Sequence, residues 1–232
     1  MEQKKTKHRR EGRWKGKFVM NRIEIRPAAE ADAAAMLDIY GPYVEKTTVS
    51  SEYEAPSMEE FCRRIRTFTA QLPWLVCSID GQVAGYGYAS PHRTRAAYQW
   101  SVETSIYVAP EFHRRGVARA LYSALFELLR MQGYYNIYVG ITSPNERSIK
   151  FHKAMGFIIS GAYQNSMYKF GQWRDVLWMG KELREHDGEP QPTVAFPELR
   201  DTAMCARVLK EAAAKIRRKK DESTIAGSAE LC

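Results

Sequence analysis

The stretch SIYVAPEFHRRGVARALY, residues 105–122, constrains the fold more than any other part of the chain. A strand-like run stops at Pro110, a short basic segment follows, and an amphipathic helix opens on small residues. The chain is thus handed from a strand straight to a helix N-terminus, where the first amide N–H groups have no intrahelical partner. The aligned peptide dipoles favour negative charge at that point. Gly116 and Ala118 carry almost no side chain, so a phosphate can approach the main chain closely. A cofactor bearing a pyrophosphate suits this turn. The Rossmann and P-loop fingerprints are absent: there is no G-x-G-x-x-G, no G-K-S/T and no series of βαβ units.

The rest of the chain supplies a sheet and helices around this turn. Residues 23–26 alternate like a short strand closed by Pro27. Residues 30–40 are Ala-rich and helical, with Met36, Ile39 and Tyr40 on one face. Ser57 and Glu60 form a capping box before a helix that carries Phe61, Ile65 and Phe68. Residues 74–79 and 83–89 flank Asp80-Gly81 as a β-hairpin. Residues 91–97 form a loop, residues 99–108 a strand, and residues 117–131 a helix with Leu121, Leu125, Leu128 and Leu129 inward, ended by Gly133. Further strands are expected at 137–141, from 157 onward, and at 176–181, with a helix from Asn145 to Gly156. The order βααβββ-αβ-αββ predicts an α/β (α+β) fold: a mixed sheet with helices on both sides.

Charge separates the ends from the middle. The chain of 232 residues has a formal net charge of +8, and a hydrophobic fraction of 44% is enough for a real core. Eight Lys/Arg against Glu2 and Glu11 lie in residues 1–20, and residues 186–232 balance, so the middle is nearly neutral. The basic leader, residues 1–20, reads as a solvated extension, with Met20 as an alternative start directly before the first strand. Nucleic-acid or ribosome binding through the leader and the 215–220 cluster is the rival from a binding class. No apolar signal region follows the leader charges, and no apolar run reaches 18 residues. Cys62, Cys77, Cys205 and Cys232 have no C-x-x-C spacing, which points to a reduced, cytoplasmic setting. After Leu183 the composition shifts. Residues 186–198 read as a linker and residues 199–220 as one amphipathic helix, followed by a loose tail. The main domain is expected over residues 21–185.

His113, Arg114, Arg115, Gly116, Val117 and Ala118 resemble the acetyl-CoA motif of the GNAT acetyltransferases, Gln/Arg-x-x-Gly-x-Gly/Ala, with His113 in the place of Gln or Arg. Residues 145–157, NERSIKFHKAMGF, are similar to the second signature of that superfamily. Within it, the chain resembles the phosphinothricin and methionine sulfoximine N-acetyltransferases over most of residues 22–183. The collinear landmarks are Thr48-Val49, residues 74–76, Arg93, Arg95, Ala97-Tyr98, Val102-Glu103, residues 106–108, Gly171, Trp173 and Asp175-Val176.

The resemblance implies a GNAT fold, with a mostly antiparallel sheet splayed between its central strands. It implies acetyl-CoA as cosubstrate and no metal. Ile106, Tyr107 and Val108 would meet the pantetheine arm through their main chain. Residues 113–118 and Arg119 would hold the diphosphate, and Asn145 with Ser148 would sit beside the arm; a plain helix cap is the other reading of Asn145.

Glu103 is the candidate acid–base residue. Strand alternation puts Glu103, Ser105 and Tyr107 on one face, and a carboxylate in a central strand is costly unless it is paired or used. An attacking amine arrives as an ammonium, and such a Glu can take its proton. A Glu paired with a neighbouring Arg is the structural alternative. Arg93 and Arg95, two forks one residue apart, are implied to grip the acidic end of an amino-acid substrate; two exposed loop arginines are the alternative. His152 falls where many GNAT enzymes carry a Tyr that protonates the departing thiolate, though a helix-surface imidazole has the same appearance. Ser51 stands where the family often has an aromatic wall, so the implied pocket differs here. The expected reaction is direct acetyl transfer to the amine of a small amino acid or analogue, by a homodimer. Acetylation of peptide or protein N-termini is the alternative within the enzyme class.

Overall fold

The computed structural model describes residues 22–217; the basic leader, Met20 and the tail from Arg218 onward lie outside that range. Seven strands form one sheet in the order β1-β2-β3-β4-β5-β7-β6. They are β1 (Ile23–Pro27), β2 (Trp74–Ile79), β3 (Gln82–Pro91), β4 (Ser101–Val108), β5 (Asn136–Thr142), β6 (Ile158–Lys169) and β7 (Gln172–Glu182). Every neighbouring pair is antiparallel except β4 and β5, which are parallel and are paired only from Ser101↔Asn136 to Glu103↔Tyr138. Beyond Glu103 the two strands part, and this is the splay that the family resemblance implies.

One face carries α1 (Ala33–Lys46) and α2 (Met58–Thr69) over an aromatic cluster. Tyr107 on β4 meets Tyr40 and Tyr43 edge-on, while Trp74 stacks on Tyr88 at 4.3 Å. Helix α1 passes through Gly41 and Pro42 rather than stopping at Tyr40. The completely buried Val44 and the Tyr43 contact with Tyr107 require one more turn, and tertiary packing outweighs the hydrogen bond that proline removes. Helix α2 starts at the expected Ser57 cap, whose side chain accepts from the Glu60 N–H. Arg63 and Arg64 both clamp the Glu60 carboxylate and hold its pKa down to about 2.

The other face carries α3 (Val117–Gln132), whose stripe of Leu121, Leu125 and Leu128 is fully buried. It lies so close to β3 that a Cβ at Gly87 would stand 2.9 Å from Ile106 and 3.3 Å from Leu125. Helix α4 (Glu146–Ala154) follows β5 and packs Phe151 and His152 around Tyr122.

The C-terminal segment departs from expectation. Residues 196–217 form two short helices, α5 (Phe196–Arg200) and α6 (Ala203–Ala213), because Thr202 caps a new helix by accepting from the Cys205 N–H. The stretch before them is tied down as well. Trp100 donates to the Gln191 carbonyl, and Gln132 donates to those of Gln71 and Val194. Phe196, Cys205, Leu209 and Ala212 join the main core, and α6 lies against α3 and β1. Burying one Phe or Leu side chain is worth roughly 1.5–3 kcal/mol, so this appendage is held by the same force as the sheet.

Candidate active site

The parting of β4 and β5 opens a cleft of about 760 Å³. The Ser101 carbonyl accepts from His92 on the β3 side, whereas the Trp100 carbonyl accepts from Tyr135 and Asn136 on the β5 side. Strand alternation then turns the N–H and C=O groups of Thr104, Ile106 and Val108 toward β5, which is no longer there to pair with them. This is an unpaired strand edge lining a cavity. The Val108 carbonyl is the exception, since it accepts from the Tyr43 hydroxyl at 2.8 Å and lies 3.1 Å from His113 Nε2. Val108 therefore offers the cleft its N–H alone.

At one end of the cleft, Gly116 precedes α3 at φ +92, a left-handed backbone that leaves the helix N-terminus open. His113, Arg114, Gly116, Val117, Ala118 and Arg119, to which the resemblance gives the diphosphate, all line the cleft. Arg115 does not. Its guanidinium lies over the Phe112 ring at 5.4 Å, and its Nε donates to the Arg217 carbonyl, so its side chain serves the appendage instead. Asn145 and Ser148 line the opposite wall, and Asn145 also caps α4 by accepting from the Ser148 N–H at 3.1 Å. The cap is formed, and Asn145 keeps a place on the cleft wall.

His152 reaches the wall too, but both its nitrogens are engaged. Nδ1 lies 2.8 Å from the Ser148 carbonyl, which can only accept, so Nδ1 carries the ring proton. Nε2 then accepts from the Tyr122 hydroxyl at 2.9 Å. Burial lowers the pKa of His152 and keeps it neutral, and burial pushes the Tyr122 phenol up and keeps it protonated. The proton in the bond between them thus sits on the Tyr122 oxygen. Sequence reasoning missed Tyr122, although Ala118 and Tyr122 stand four residues apart on one helical line, as do Ser148 and His152.

Glu103 lies at the last paired position before the split. Its face is the one predicted: Ser90 and Tyr88 on β3 stand opposite Glu103 and Ser105, and Tyr107 enters the aromatic cluster. Its side chain is 30% exposed and lies 2.9 Å from His92 Nδ1 and 3.6 Å from Arg93. The His92 ring is fixed by stacking on Tyr138 at 4.5 Å. Nothing in the sequence pattern singled out His92, because its partner is brought to it only by the β3–β4 register. Arg93 also approaches the Tyr163 hydroxyl and the Trp178 ring. Arg95 is exposed, with no ion pair or side-chain hydrogen bond to a described residue, so of the two forks only Arg93 is placed against Glu103. A smaller pocket of about 340 Å³ lies on the Glu103 face, walled by Tyr40, Phe61, Trp74, Tyr86, Tyr88 and Ser90. Burial pushes the Cys77 thiol up to about 12, which leaves it inert as a nucleophile.

A sheet split beside a glycine-led helix, with a carboxylate at the fork, is the architecture of an acetyl-CoA-dependent N-acetyltransferase. The chain belongs to the GNAT family: the family described as "Acetyltransferase (GNAT) domain" matches residues 25–178. It is 35% identical over 170 residues to the phosphinothricin N-acetyltransferase of Streptomyces viridochromogenes, covering 73% of this chain and 92% of that protein. It is 31% identical over 168 residues to the L-methionine sulfoximine/L-methionine sulfone acetyltransferase of Salmonella typhimurium, covering 71% and 96%. The crystal structure of a GNAT superfamily phosphinothricin acetyltransferase from Sinorhizobium meliloti, in complex with AcCoA, superposes with a TM-score of 0.71 at 32% identity, covering 76% of this chain and 96% of that one. Among the described residues no group of His, Cys, Asp and Glu could hold a metal, and no helix is long and apolar enough to cross a membrane.

Proposed function

We propose that this enzyme moves an acetyl group from acetyl-CoA to the primary amine of a small amino acid or analogue, with residues 21–185 as the acetyltransferase domain. The observation that carries the reading is the strand edge Thr104–Ile106–Val108, bared where β4 leaves β5, in a cleft that ends on the Gly116 turn. The donor set fits the cosubstrate: main-chain amides for a pantetheine arm, and a helix N-terminus flanked by Arg114 and Arg119 for phosphates. Bound acetyl-CoA supplies an acyl group already activated as a thioester.

The chain's own groups do the rest. The Ile106 and Val108 N–H groups polarise the acyl carbonyl. His92 holds Glu103 Oε1, leaving Oε2 to take a proton from the incoming ammonium. As the new C–N bond forms, the nitrogen sheds its second proton to water; as the C–S bond breaks, the Tyr122 hydroxyl turns from His152 and gives its proton to the departing sulfur, and that water restores it. His152 positions that hydroxyl. Arg93 meets the acceptor carboxylate, and the aromatic pocket beside Ser90 takes its side chain.

The exposed apolar ribbon of β6 and β7, with Ile158, Tyr163, Phe170 and Trp173, supports a homodimer. The free cysteines Cys62, Cys77 and Cys205 suit a reducing cytoplasm.

A thiol-release assay tests the acceptor. Acetyl-CoA is offered with free amino acids, methionine sulfone, methionine sulfoximine, phosphinothricin and short peptides. Release with one or more free amino acids or analogues is expected; release with peptides alone, or with nothing, sinks the reading. In the same assay Tyr122→Phe lowers turnover by about 10²-fold with acceptor KM unchanged, the lower end for loss of a general acid. An unchanged turnover removes Tyr122 from the mechanism.

A further inference from the structure

The appendage ends on the cofactor site. Helix α6 is anchored on α3 and β1 by Cys205, Leu209, Ala212 and Ala213, and it delivers residues 215–217 to the Gly116 turn. There the Arg217 N–H donates to the Arg115 carbonyl at 2.8 Å, and Arg115 Nε donates back to the Arg217 carbonyl at 3.3 Å. The Lys215 carbonyl stands 3.5 Å from the place a Cβ on Gly116 would take. Ile216 is buried between them, which turns the exposed Lys215 and Arg217 side chains to the surface, where both line the cleft. Arg114, Arg119 and Arg147 line the same cleft. None of these five cations forms an ion pair with a described carboxylate. Such a ring of cations is self-repelling until an anion enters it.

We propose that Lys215 and Arg217 are cofactor-binding residues, and that the C-terminal appendage completes the site by supplying two cations to the phosphates of coenzyme A. The inference rests on the acetyl-CoA reading above and extends it beyond residues 25–178, the span matched by the family. Arg115, turned away from the cleft, is the clasp that fixes the segment. Docking of the segment and binding of the cofactor favour one another, because each places charge where the other needs it. The shared chemistry is a phosphate, from either the diphosphate or the 3′-phosphate of the cofactor.

Calorimetric titration of the full chain with coenzyme A, without any acceptor, tests the proposal. Lys215→Ala/Arg217→Ala raises Kd about tenfold and flattens its dependence on salt, the scale expected for two exposed charge contacts. Both side chains are exposed, so the melting temperature stays that of the parent. Arg207→Ala/Lys210→Ala, the same charge change elsewhere on α6, leaves Kd unaltered. Repeating the titration with dephospho-coenzyme A assigns the phosphate: the gap between parent and variant closes if the appendage meets the 3′-phosphate and persists if it meets the diphosphate. A Kd for coenzyme A within twofold of the parent, or an equal loss in the Arg207/Lys210 variant, overturns the proposal. A parent that binds coenzyme A but acetylates no amino acid overturns the acceptor assignment instead, and leaves this one standing.

Discussion

The two ends of the site are made of different materials. The cleft between β4 and β5 is built around main chain, the bared edge of β4 and the Gly116 turn, with the cations Arg114, Arg119, Arg147, Lys215 and Arg217 lining it. The Glu103 end is made of side chains from separate places: Glu103 from β4, His92 and Arg93 from the loop after β3, and Tyr163 and Trp178 from the β6–β7 ribbon. A backbone site recognises what every cosubstrate molecule shares, whereas a side-chain site can be retuned one residue at a time. The first end should therefore be sensitive to backbone strain and the second to single truncations.

The largest effect is expected at the side-chain end. Glu103→Gln preserves shape and the contact with His92 but cannot accept a proton, so kcat falls by about 10²–10⁴-fold, the usual span for loss of a general base. Coenzyme A affinity measured by calorimetry stays within twofold. If affinity collapses along with turnover, the two ends are not separable and the comparison fails. Next in size is Gly116→Val. A β-branched residue at φ +92 costs about 1–3 kcal/mol in place, so the turn relaxes and coenzyme A affinity drops by about tenfold or more. Acceptor specificity across the panel should remain as in the parent. A variant that binds coenzyme A normally would show that the open helix N-terminus is not what holds the phosphates.

The arginines sharpen the contrast on a smaller scale. Arg93→Ala should raise the acceptor KM about tenfold, as loss of a charge-assisted contact does, while Arg95→Ala should change it less than twofold. Equal effects from both would restore the two-fork clamp.

The same contrast explains what was legible beforehand. Strand β4, helix α3 and the Gly116 turn lie consecutively in the chain, so their roles are written in local spacing. The splay was legible only through the family resemblance, because nothing local in β4 marks Glu103 as the residue where its pairing with β5 stops. His92 was hidden for the same reason: its meeting with Glu103 depends on the register Ser90↔Glu103, a non-local fact. Lys215 and Arg217 were hidden further, since they reach the Gly116 turn only after α6 docks about 100 residues later in the chain. The single helix expected over residues 199–220 missed the Thr202 cap, a local signal that the apolar periodicity on either side outweighed.

The smallest effect lies in stability and concerns the wall between the two ends. His152 is buried and neutral, hydrogen-bonded to Ser148 and Tyr122, and burial lowers its pKa from the ordinary 6.5. A histidine of this kind takes up its proton more readily in the unfolded chain than in the folded one, so acid favours unfolding. Its contribution is intact above about pH 6.5 and declines as the pH falls from there toward the lower folded-state value. His152→Gln keeps a donor and an acceptor but does not titrate, so the part of the acid loss that belongs to this site should vanish. Melting temperatures from pH 8 to pH 5 read this directly. The parent should fall more steeply below about pH 6.5 than the variant, and parallel curves would show that folding leaves the proton affinity of His152 unchanged.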